Sequence, residues 1–143
     1  MNAKEFLKSI KKLDLKMENK VMEILSLYDL VESATIAPKE INVQTSGGED
    51  RFADTMVKII DLKKELEDQL FQYINLKLKA IEMIDSMETD EFANILMRRY
   101  INYEPWNKIA KDLGYTRQGI DYKHGKALVE FQRVLARFDI DLQ

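Results

Sequence analysis

Apolar residues in this chain recur at alternating steps of four and three over most of its length, the period of a single buried helical face. Phe6, Ile10, Leu13, Met17, Ile24, Leu27 and Val31 form the first such stripe, with Lys20 taking one seam position. No proline or glycine interrupts it, so the spacing predicts one amphipathic helix over residues 3 to about 33. A second stripe runs through Phe52, Met56, Ile59, Leu62, Leu66, Leu70, Tyr73, Leu76, Ala80, Ile84 and Met87. It predicts a helix from Asp50 or Arg51 to Ser86. Residues 34–50 between them read as a linker. Thr35, Pro38, Asn42, Thr45, Ser46, Gly47 and Gly48 are turn formers, and Ile36, Ile41 and Val43 could make a short extended piece. At 1.5 Å per residue each helix is on the order of 45–55 Å long. Two such helices and one linker predict an antiparallel, coiled-coil-like hairpin. A narrow seam buries little surface, so residues 1–88 are expected to form a homodimer or higher homo-oligomer, or to dock on a partner.

The pattern shortens after residue 88. Thr89 or Asp90 can cap a third helix, roughly 91–100, whose buried face is Phe92, Ile95, Leu96 and Tyr100. Residues 101–104 form a loop, and Pro105 suits the first turn of a fourth helix ending at Leu113. A fifth follows Thr116 and runs to about Phe138. Ile109, Ala110, Leu113, Tyr115 and Ile120 fall where helices four and five must touch. Ala110 is small enough for a close crossing. Gly114 sits where a positive φ is needed, and Thr116 can accept a hydrogen bond from a free amide of helix five. This is a helix-turn-helix pattern, whose second helix commonly enters the DNA major groove. The fold class is therefore all-α, with domains at 1–88 and 89–143.

Charge sharpens this reading. The net charge is −3, which by itself argues against a DNA binder. Its distribution does not: residues 1–90 carry 13 Lys and Arg against 18 Asp and Glu, whereas residues 91–138 carry 9 against 5. The basic excess thus falls on the segment holding the motif. With no cysteines, disulfides and thiolate metal sites are excluded, and the single histidine, His124, has no partner ligands at metal-binding spacing. Gly47-Gly48 lacks the Lys-Ser/Thr of a phosphate loop. Glu65, Glu67 and Asp68 read as a solvated face, the methionines as core filler, and Trp106 as core on the Ile109/Leu113 face. No catalytic constellation stands out. The expectation is a cytoplasmic protein of a bacterial host with no enzymatic activity, cofactor, metal or membrane span.

Candidate DNA contacts follow from the exposed positions of the motif. Arg117, Gln118, Asp121 and Tyr122 are the candidate base readers, since Arg suits guanine and Gln adenine. Arg98, Arg99, Lys108, Lys111, Thr116, Lys123, His124 and Lys126 are candidates for contacts that position the protein on the phosphates. His124 is expected at the surface.

At these residues the chain resembles region four of bacterial sigma factors, which reads the −35 promoter element. The matching run is Tyr115-Thr116-Arg117-Gln118-Gly119-Ile120, with Lys126-Ala127-Leu128 behind it. Lys123 departs from it, at a position normally apolar there, and so do Gly119, Gly125 and the acidic Asp121. The run from Arg98 to Thr116 is also similar to a family of small, largely uncharacterised phage and prophage proteins of Gram-positive bacteria. So is Ser46-Gly47-Gly48-Glu49-Asp50. The sigma resemblance covers about residues 91–131, the phage resemblance nearly the whole chain. Together they imply a phage-type transcription regulator that binds double-stranded DNA and acts with RNA polymerase. Two alternatives stay open: a DNA-packaging factor like a small terminase subunit, and a polymerase-binding or anti-sigma-like interaction protein.

Overall fold

The computed structural model describes residues 1–36 and 45–141, with side chains described for 1–33, 48–138. Among these the fold is all-α. Helix α1 spans Ala3–Ile36 and α2 Thr45–Asp85. Three shorter elements follow: α3 (Asp90–Leu96), which continues into a π-helical turn (Met97–Ile101), α4 (Trp106–Leu113) and α5 (Arg117–Asp141). The long helices α1 and α2 run antiparallel. Both overrun the linker expected at 34–50: α1 continues to Ile36, and α2 starts at Thr45, so Ser46 to Asp50 are helical. Extending an existing helix costs little once it is nucleated, even through two glycines at about 1 kcal/mol each. The turn formers Pro38 and Asn42, and the extended piece expected at Ile41 and Val43, lie outside the described residues.

The chain divides into two compact units, one of Met1–Leu13 with Tyr73–Gln143 and one of Asp14–Gln72. The division falls inside the long helices instead of at residue 88. Packing explains it. In the first unit, Phe6, Leu7 and Ile10 of α1 share a core with Ala80, Met83 and Ile84 of α2, Leu96, Tyr100 and Ile101, and Ala127, Phe131, Val134 and Leu135 of α5. Phe6 stacks on Phe131 at 6.0 Å between ring centroids, and the Ala3 amide donates to Gln132 Oε1 at 2.7 Å. The first turns of α1 thus belong to the core that also supports the helix-turn-helix.

The second unit is the hairpin proper. Its core is Ile24, Ile59 and Leu62, with Leu27, Tyr28, Val31, Met56 and Leu66 packed against it. Lys20, the polar residue in the α1 seam, has a partner there: its Nζ donates to Glu65 Oε2 at 2.9 Å. That bond raises the lysine pKa and lowers the carboxyl pKa. Glu65 is therefore an inter-helix tie and not simply part of a solvated face. Two positions of the expected α2 stripe, Phe52 and Leu70, are exposed. Leu7 and Met83, outside the stripes, are fully buried. A strict three–four step drifts around a straight helix, so the buried face moves off it over several turns.

A candidate nucleic-acid interface

The helix-turn-helix has its own small core of Ile95, Ile109, Ala110 and Ile120, with Trp106, Leu113 and Tyr115 packed against it. All five residues expected at the α4–α5 crossing lie in this cluster. Gly114 ends α4 with φ 75°, in the left-handed region where a Cβ is unfavourable. The Tyr115 amide reaches back to the Ala110 carbonyl at 2.8 Å and the Gly114 amide to that of Lys111 at 3.2 Å. This pair of bonds is a Schellman turn, and Tyr115 packing against Ala110's cluster supplies its hydrophobic contact. Thr116 Oγ1 then accepts from the Gly119 amide at 3.0 Å, as expected of the cap of α5. Gly119 fits that cap. A Cβ there would lie 3.2 Å from the same Thr116 oxygen. Pro105, expected inside the first turn of α4, stands one residue earlier in extended conformation and accepts from the Lys108 and Ile109 amides.

This turn aims the first turns of α5 outward. Arg117, Gln118, Asp121 and Tyr122 are all exposed, as base readers must be. Arg117 Nε lies 3.5 Å from Asp121 Oδ1, an exposed i,i+4 pair. Such pairs are weak and screened, so Asp121 does not lock the guanidinium. Lys126 lies 4.7 Å from the Tyr122 ring centroid. Lys111 is exposed, and Lys108 reaches Glu104 at 3.1 Å while staying largely in solvent. Lys123 is partly covered: its Nζ sits 3.6 Å from Glu91 and 5.7 Å from the Tyr115 ring. Its ammonium group thus lies over that tyrosine, within reach of the Glu91 carboxylate. Glu91 also accepts the Tyr115 hydroxyl, and that bond raises the tyrosine pKa.

Three of the expected phosphate contacts have other occupations. His124 is half-buried, not at the surface. Its Nε2 hydrogen-bonds Tyr100 Oη at 2.8 Å, and its ring lies 4.5 Å from that of Trp106. Burial, and then the charges of Lys4 and Arg99, push its pKa down to about 4, while Asp121 pulls it the other way. The imidazole is neutral at pH 7 and attracts no phosphate. Its position was readable: Ile120, His124, Ala127 and Phe131 follow the three–four step, so His124 lies on the core side of α5. Arg98 is held by both oxygens of Glu104 and by Asp112. It ties the loop to α4, its own pKa rises, and the Glu104 carboxyl is lowered to about 2 by Arg98 first and Lys108 second. Arg99 donates to the Glu104 carbonyl at 3.1 Å and stacks 5.0 Å from the Trp106 ring. Trp106 is therefore in contact with both Arg99 and His124, as part of the scaffold.

The loop leading to α4 holds the least regular backbone. The Asn102 amide bonds the Met97 carbonyl, five residues back, and the Glu104 amide bonds that of Arg98. This wider turn sets both Tyr100 and Ile101 into the core. Tyr103 takes φ 58°, the one non-glycine with positive φ among the described residues. Its ring lies 5.4 Å from Lys77 Nζ and 5.6 Å from Lys11 Nζ, and its hydroxyl is 3.3 Å from that of Tyr73. No sequence signal marked either feature.

No group of acidic, histidine or cysteine side chains able to hold a metal occurs among the described residues. No described helix is long and apolar enough to cross a membrane. No curated protein and no solved structure matches the chain. One family model does match, over residues 34–131, which is more than half of the chain and includes α2, α3, α4 and most of α5. The protein accordingly belongs to the family described as protein of unknown function DUF1492.

Proposed function

We propose that this protein is a phage- or prophage-type transcription regulator that binds duplex DNA by laying the first turns of α5 in the major groove. The observation that carries the reading is the Gly114 turn and Thr116 cap. Together they hold α4 against α5 while Arg117, Gln118, Asp121 and Tyr122 stay exposed on one face. Arg117 and Gln118 read base edges, and Tyr122 adds an apolar or hydroxyl contact beside them. Lys108, Lys111 and Lys126 bind phosphates, with Thr116 and the free amides at the start of α5 adding a neutral anion site. Arg98, Arg99 and His124 serve this surface indirectly, by fixing α3 and α4 around Trp106. The resemblance to sigma region four supports action alongside RNA polymerase.

The test is selection of binding sequences from a random duplex pool with the full chain, followed by anisotropy titrations across a salt series. Affinity for the selected site should fall steeply with salt. Arg117→Ala should cost about 1–3 kcal/mol on that site and relax the preference at one base pair. Absence of any enriched sequence, or equal binding by the variant, rejects the base-reading role. Adding RNA polymerase to the same titrations tests the second clause: a supershifted complex supports it, and an unchanged one removes it.

A further inference from the structure

The hairpin unit carries apolar side chains that its own core does not use. Leu15, Met22 and Leu25 of α1 and Val57, Ile60 and Phe71 of α2 are between 49% and 67% exposed. Leu30 of α1, 62% exposed, stands apart from them, but these six are not scattered. On α1 they fall, with Glu18, at 15, 18, 22 and 25. On α2 they fall, with Lys64 and Glu67, at 57, 60, 64, 67 and 71. Both sets keep the alternating three–four step of a helix-packing seam. Each also sits one residue after the inner seam: Glu18 and Leu25 follow Met17 and Ile24, and Ile60 and Glu67 follow Ile59 and Leu66. In an antiparallel pair of right-handed helices, a one-residue step turns both stripes to the same side. Among the described residues the hairpin therefore has a second, unpartnered face, striped along both helices.

We propose that this face binds a second copy of the same chain, by a twofold axis perpendicular to the helices, to give a four-helix dimer. The occupant is chosen by self-complementarity. A twofold midway between Lys64 and Glu67 sets α2 antiparallel to its copy. It pairs Lys64 with the second copy's Glu67, and Ile60 with the second copy's Phe71. Both lysines meet carboxylates and both large apolar residues meet each other. Lys20 and Glu65, hydrogen-bonded across the hairpin at 2.9 Å, carry this level over to α1 near position 20. There the same axis pairs Leu15 with the second copy's Leu25 and leaves Glu18 beside the second copy's Met22. The charges on α2 therefore set the register. A pairing on α2 shifted by one heptad would lose both Lys64–Glu67 pairs. The inference stands apart from what α5 binds.

Sedimentation equilibrium of the full chain at micromolar concentration is the first test, in about 150 mM salt, where charges beyond about 8 Å are screened. A mass twice 16.8 kDa is expected; a monomer, or a larger assembly, overturns the proposal. Lys64→Glu sets four carboxylates at the centre and should raise the dimer Kd about tenfold or more. The double variant Lys64→Glu, Glu67→Lys reverses both members of each pair and should return to within about threefold of the parent. Both positions are exposed, so circular dichroism should show unchanged helix content. A single variant as tightly dimeric as the parent overturns the register. Crosslinking reads the register directly, because the chain has no cysteine of its own. Ile60→Cys, Phe71→Cys should oxidise to a covalent dimer. Within one chain these residues are about 16 Å apart along α2 and cannot bridge. A chain that stays monomeric under oxidant overturns the pairing.

Discussion

Protonation of His124 should destabilise this protein from one identifiable place. The imidazole sits between Tyr100 and Trp106 with a pKa of about 4, against 6.5 for the free side chain. The folded value lies below the unfolded one, so the unfolded chain takes up the proton first. The stability from the neutral imidazole is fully present above pH 6.5 and is lost as the pH falls from there through 4. At 1.36 kcal/mol per pKa unit the whole loss is about 3 kcal/mol, and the part between pH 7 and pH 5 is about 2 kcal/mol. The perturbation is His124→Gln, which cannot protonate. Urea denaturation of parent and variant at pH 7 and pH 5 gives four free energies. The parent should lose about 2 kcal/mol more than the variant over that interval, since carboxylates titrate equally in both. The chain has one histidine, so a single pair of imidazole proton signals reports its pKa without assignment. Equal losses in the two proteins, or an imidazole titrating near 6.5 in the native state, refute the reasoning.

Two glycines of α5 should respond oppositely to one substitution. Gly125→Ala meets no atom within 4 Å, so it should stabilise by up to about 1 kcal/mol through helix propensity. Gly119→Ala crowds the Thr116 oxygen at 3.2 Å, so its gain should be smaller or reversed. Chemical denaturation of the two variants side by side reads the difference. Gly114→Ala forces a Cβ into φ 75° and should cost about 1–2 kcal/mol, with Gly114→Asn recovering part of it in the same assay. Phe131→Ala empties a fully buried site shared by α1, α2 and α5 and should cost about 3–5 kcal/mol, seen as an earlier thermal transition by circular dichroism.

The helix-turn-helix was legible because its signals are local and steric. Gly114, Thr116 and the Ala110 crossing each have one physical solution, and all three took it. The two long helices were legible for a related reason: their stripes average over many turns, so the exposure of Phe52 and Leu70 does not hide them. What stayed hidden depended on partners distant in sequence. Arg98 reads as a free cation until Glu104 and Asp112 fold around it. His124 reads as a surface group by type, although its spacing puts it inside. Leu7 and Met83 are buried in a core shared with α3 and α5, elements that no helical period of α1 or α2 can report. The second apolar face of the hairpin was present in the sequence as a parallel set of steps. It became visible once the structure showed which stripe the internal core consumed.

The bond from the Ala3 amide to Gln132 joins residues 129 positions apart, and this has a consequence for birth of the chain. Phe6, Leu7 and Ile10 leave the ribosome long before Phe131, Val134 and Leu135. At 5–20 residues per second, that gap is on the order of 6–26 s. The hairpin unit has no such wait, since Ile24, Ile59 and Leu62 are complete long before α5 is made. Synthesis thus presents the two compact units in a fixed order, the inner one first. A separately expressed 89–143 fragment, by contrast, would begin life without the α1 and α2 side chains that α5 closes upon.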